Sequence, residues 1–154
     1  MEPRVLVGFA VSSLAMGVAS GLVPALNTEA YLLALAALAP PQALPAAVIG
    51  VTAGQMAAKS LLYGVGSGAM SARPFRASEA RIAALTKRLA ELRVSTALVV
   101  FASAVTGVPP FYLVSVAAGS LRYSLARFLL VGGSGRLVRF AAVVAVPRLL
   151  GFAR

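Results

Sequence analysis

The 154-residue chain has no cysteine and no histidine, and only four acidic residues. Without cysteine there are no disulfides and no thiol chemistry, and without histidine there is no imidazole base and little basis for a transition-metal site. Four scattered acids give no paired-carboxylate motif, and neither a Walker loop nor a metal-ligand spacing occurs. The expectation is therefore a protein that is not an enzyme and that takes no cofactor and no metal. Charge is scarce as well, at 12% of residues, whereas 60% are hydrophobic and the mean hydropathy is +0.91. A soluble domain this small could not hide so much apolar surface. The class predicted is an all-α integral membrane protein, one membrane domain over 1–154.

What charge there is leans to one side. Fourteen Lys or Arg face the four acids, for a net charge of +10. On so apolar a background that excess fits anionic lipid headgroups and the membrane rather than nucleic acid. Oligomeric state is left open, a homo-oligomer included.

In chain order, residues 5–21 predict an N-terminal helix that inserts without cleavage, although Gly17-Val-Ala-Ser-Gly21 offers the small residues a signal peptidase accepts. The next stretch, Gly21-Leu-Val-Pro-Ala-Leu-Asn-Thr-Glu29, sets Pro24, Asn27 and Glu29 into a hydrophobic region that Pro40-Pro41 then closes. It is too short to cross as a helix, and the expectation is a re-entrant hairpin over 22–39. The alternative is one long kinked helix over 5–38. Residues 42–66 predict a full span, with Gln55 and Lys59 four apart on one face.

Residues 72–93 differ in kind. Arg73, Arg76, Arg81, Lys87, Arg88 and Arg93 surround Ile82, Leu85, Leu89 and Leu92 at helical spacing, with Ser78 as a capping residue. This predicts a basic amphipathic connecting helix on an anionic membrane surface, on the cytoplasmic side by the positive-inside rule. Residues 94–119, broken at Thr106-Gly-Val-Pro109-Pro110, predict a second hairpin. Residues 124–147 predict the last span, with Arg136 and Arg139 near its middle and on one face.

Shifting the chain by 81 residues sets Ala30-Tyr-Leu-Leu-Ala-Leu-Ala-Ala against Phe111-Tyr-Leu-Val-Ser-Val-Ala-Ala, Leu44 against Leu125 and Gly54 against Gly135. Two units, 22–69 and 94–147, each read as a hairpin plus a span. A single crossing separates the hairpins, so they would enter from opposite faces, as in the inverted repeats that build midplane transport sites. The ionisable groups expected at membrane depth are Glu29, Lys59, Arg136 and Arg139. A central charge costs about 2.5–3.5 kcal/mol on insertion scales, so the surplus cations call for an anion such as a lipid phosphate. Glu29 could also carry a proton.

The runs Gly21-Leu-Val-Pro24 with Glu29, Gly50-x-x-x-Gly54, Phe101 to Gly119, and Gly135-Arg-Leu-Val-Arg-Phe140 together resemble the DedA/VTT superfamily (SNARE-associated Golgi protein-like), as a small divergent bacterial-type member. The resemblance covers about residues 20–147. It implies two opposed re-entrant hairpins and a flippase or scramblase that moves a phospholipid or polyprenyl phosphate across the bacterial inner membrane, with proton coupling as an option. Glu29, Gln55, Lys59, Arg136 and Arg139 are the expected transport residues, with Pro24, Asn27, Pro109 and Pro110 shaping the hairpins. The alternative is a non-transporting scaffold that uses the basic helix 73–93.

Overall fold

The computed structural model describes residues 2–23, 25–69, 79–91 and 95–151. Seven α-helices and one 3-10 turn (Pro41–Ala43) account for most of them, with no strand among the described residues. The helices are α1 (Pro3–Leu22), α2 (Thr28–Leu38), α3 (Leu44–Gly66), α4 (Glu79–Glu91), α5 (Thr96–Thr106), α6 (Phe111–Ser120) and α7 (Leu125–Leu149). The all-α expectation holds. The chain divides into two compact units, Met1–Ala58 with Arg136–Arg154, and Lys59–Gly135.

Element bounds follow the chain's breaks. The helices expected to lead each span, α3 and α7, begin at Leu44 and Leu125, the pair that the 81-residue shift superimposes. Residues 22–39 hold one helix, α2, and the chain before its turn is the end of α1, so 5–38 is two helices with a break between them. Residues 94–119 hold two, α5 and α6, which pack on each other. Three helices were expected to be long spans; among the described residues, α1 and α7 are the helices both long and apolar enough, by length and composition, to cross a hydrocarbon core. α3 has the length, at 23 residues, but Gln55 and Lys59 lower its hydropathy.

In the first unit the core joins three helices. Leu32 and Ala36 of α2 pack with Leu44, Ala47, Val48 and Val51 of α3 and with Phe140 and Val144 of α7. α1 lies close against α3, because an added Cβ at Gly54 would fall on the Leu14 carbonyl and 3.0 Å from the Gly17 Cα. Backbones that approach this closely need small residues. The Ser13 and Tyr31 hydroxyls, 2.9 Å apart, join α1 to α2.

In the second unit Phe128 is fully buried between Tyr63, with ring centroids 5.5 Å apart, and Phe111, at 5.9 Å. The α5–α6 break is closed by Gly107, whose φ of 80° suits a residue without a side chain. Ser103 adds a hydrogen bond from its hydroxyl to the Pro109 carbonyl. Pro109 and Pro110 thus stand at the break, with Pro110 as the residue that leads into α6. α4 packs its apolar stripe on α6, burying Leu89. Its basic residues Arg81, Lys87 and Arg88 are exposed. Arg73, Arg76, Arg93 and the capping residue Ser78 lie outside the described residues, as does Pro24.

Replacing Gly54 with alanine is expected to destabilise the protein by about 1–3 kcal/mol, the usual cost of overpacking. Gly8→Ala, with nothing within 4 Å of the added Cβ, should be neutral or slightly stabilising. Reversible unfolding in detergent, followed by circular dichroism, checks the pair.

Candidate functional site

The turn between α1 and α2 ends on Asn27, whose side-chain oxygen accepts from the Glu29 N–H at 3.0 Å and the Ala30 N–H at 3.2 Å. This cap sets where α2 begins. Glu29 consequently sits in the first helical turn, where a carboxylate offsets the positive end of the helix dipole. From α7, Arg139 donates its Nε–H to Glu29 Oε1 at 2.6 Å, and its Nη2 converges on the same oxygen. The pair is only part-buried, with side-chain exposures of 24% for Arg139 and 38% for Glu29.

One turn before Arg139 on α7, Arg136 holds its guanidinium 5.8 Å from the centroid of the Phe140 ring. That is within cation–π range, and Phe140 itself is fully buried. From α3, Gln55 is 6% exposed. Its Nε2 donates to Ser20 Oγ at 3.1 Å and to Thr28 Oγ1 at 2.8 Å. Ser20 spends its own proton on the Gly17 carbonyl, at 3.1 Å, so toward Gln55 it can only accept. That orients the amide and leaves Gln55 Oε1 buried and without a hydrogen-bond partner among the described residues. A buried acceptor left unpaired costs about 1–3 kcal/mol.

These side chains bound one cavity of about 340 Å³, lined among others by Ser20, Thr28, Glu29, Gln55, Arg136 and Phe140. Glu29 and Arg136 are the charged residues on its lining. With Arg139, which pairs with Glu29 from outside the lining, the three ionised groups sum to a single positive charge. Hydroxyl and amide groups supply the remaining polar wall. Such a site suits an anionic group that can accept from arginine.

Four of the five expected transport residues, Glu29, Gln55, Arg136 and Arg139, therefore come together in the first unit. Lys59 is buried, at 7% exposure. It belongs to the second unit and does not line this cavity. Asn27 is the cap of α2 as well as part of the turn. Reasoning from the sequence missed Ser20 and Thr28, which flank the Pro24 break and hold Gln55. A signal existed, since both are small polar residues on either side of a proline in an apolar stretch. Arg148 was also missed, and it donates to the Ala36 carbonyl near the end of α2.

A double-mutant cycle on Glu29→Gln and Arg139→Gln is expected to return a coupling of about 1–3 kcal/mol, with each single change costing more than its share because it strands the other charge. Chemical unfolding of the four proteins in one detergent measures it. Additive losses would mean that the pair does not hold α2 to α7.

Comparison with protein-family models, with curated proteins and with solved structures finds no match to this chain.

Proposed function

We propose that the chain is a multi-pass protein of the bacterial inner (cytoplasmic) membrane, of DedA/VTT type, that moves an anionic lipid between leaflets. The observation that carries this reading is the polar cavity lined by Glu29 and Arg136, with Arg139 paired to Glu29, in a unit whose core is apolar. Charges are costly at membrane depth and tend to mark a substrate or ion path. The length and apolar character of α1 and α7 support the membrane placement. So do the large side chains they leave outward, among them Val7, Val11, Leu130 and Val138.

On this reading the phosphate of a phospholipid or polyprenyl phosphate enters beside Arg136. The Glu29–Arg139 pair keeps the cavity at one net positive charge, enough to attract the phosphate without holding it permanently. Glu29 is then the carboxylate that a proton-coupled mechanism would use. The α1–α2 turn with α2, and the α5–α6 pair, serve as the two re-entrant elements of an inverted repeat. The basic face of α4 lies on the cytoplasmic side, with Arg81, Lys87 and Arg88 toward anionic headgroups. Those outward cations also fit the second reading, a scaffold that uses the basic helix and transports nothing.

Reconstitution into vesicles containing a fluorescent anionic phospholipid separates the two. Leaflet exchange should appear with the wild-type chain and fall at least tenfold in Arg136→Ala and Glu29→Gln, with Arg81→Gln unaffected. Exchange by both variants at the wild-type rate would reject the cavity as the route. No exchange by a folded wild-type chain would leave the scaffold.

A further inference from the structure

A second feature of the first unit lies at the other end of α2. The carbonyl of Ala36 would ordinarily accept from the N–H four residues on, but that residue is Pro40, which has none. Arg148, in the last turn of α7, fills the vacancy with Nε at 3.3 Å and Nη2 at 3.0 Å. A guanidinium has five N–H donors, so the contact fixes the group and leaves donors over. No carboxylate among the described residues answers its charge: Glu29 pairs with Arg139, and Glu91 with Lys87.

Beside Arg148 runs a groove of about 450 Å³ between the start of α3 and the end of α7, walled by Leu44, Val48, Ile49, Val144 and Ala145. Arg148 is the one charged residue on its lining, and every other lining residue is apolar. The cation stands where α2 and α7 both terminate, as expected of an arginine at headgroup level.

We propose that this groove is a binding site for a resident anionic phospholipid, with the phosphate on the free edge of Arg148 and an acyl chain along Val48, Ile49 and Val144. Charge complementarity selects the occupant. A lone arginine above an apolar channel matches a phosphate joined to a hydrocarbon tail, whereas free phosphate would leave the channel unfilled. The site is distinct from the Glu29–Arg136 cavity, which adjoins the beginning of α2. The inference rests on the membrane placement proposed above and not on lipid movement.

Native mass spectrometry of the full chain in detergent, titrated with phosphatidylglycerol or phosphatidylcholine, tests it. The wild type should retain phosphatidylglycerol in preference to phosphatidylcholine. Arg148→Gln should weaken that binding about tenfold, and Ile49→Trp, which fills the groove from an exposed position, should weaken it as much. Arg4→Gln, a change to an exposed cation of α1, should leave it unchanged. If Arg148→Gln does not fold, Ile49→Trp decides alone. Equal retention by the wild type and both groove variants, or no preference for phosphatidylglycerol, would overturn the proposal. So would a dimer that Ile49→Trp dissociates without any lipid loss, which would give the groove to a second copy of the chain. Leaflet exchange measured on the same proteins keeps the two proposals apart, since a chain that binds at Arg148 but exchanges nothing would refute only transport.

Discussion

The contact between Glu29 and Arg139 is the constraint on which the first unit depends. α2 has 11 residues, too few to be stable alone, and it begins directly after the turn that Asn27 ends. It persists because α7 grips it twice. Arg139 takes the carboxylate of its first turn, and Arg148 takes the carbonyl that Pro40 leaves unserved near its last. Between the two arginines Leu32 and Ala36 of α2 meet Phe140 and Val144 of α7. The order of these contacts means that α2 and this part of α7 run in the same direction. α7 braces, together with α3, a helix too short to be stable alone, and the cavity lies at the end of α2 that Arg139 holds.

The sequence made much of this legible. Proline and glycine breaks marked the end of α2, the end of α3 and the α5–α6 junction, whereas α7 runs through Pro147 to Leu149. The self-match at 81 residues placed the starts of α3 and α7 at equivalent positions. Glu29, Gln55, Arg136 and Arg139 stood out because polar groups are conspicuous in an apolar chain. What stayed hidden depends on pairings between distant segments. Ser20 and Thr28, polar residues on either side of a proline, could be flagged by position, but their role follows only from Gln55 reaching both. Arg148 looked like an ordinary cation past the end of a span. Its role follows from a missing N–H 108 positions earlier, and no local pattern reports that. Lys59 was grouped with the cavity because it shares a face with Gln55. Sharing a face one turn apart does not put two residues against the same cavity.

The two stretches that the 81-residue shift aligns, 22–69 and 94–147, are unlike in chemistry. Where the first has Glu29, the aligned position of the second is Pro110, which leads into α6 without a carboxylate. The compact unit Lys59–Gly135 fills its centre with Phe111, Phe128 and Tyr63, and the α5–α6 break is closed by a serine hydroxyl on a carbonyl. The ion pair beside a cavity belongs to the other compact unit, where Glu29 meets Arg139.

That cost also bears on why the acid is paired with one arginine while another stands nearby. Glu29 facing Arg139 alone would make a neutral site with little pull on an anion, and Arg136 supplies the net positive charge. With all three, the cavity carries one positive charge, and its sign is insensitive to small movements of the helices. Arg139 holds Glu29 through Nε and Nη2, so the guanidinium that seats α2 on α7 lies one helical turn from Arg136, the cation on the cavity wall.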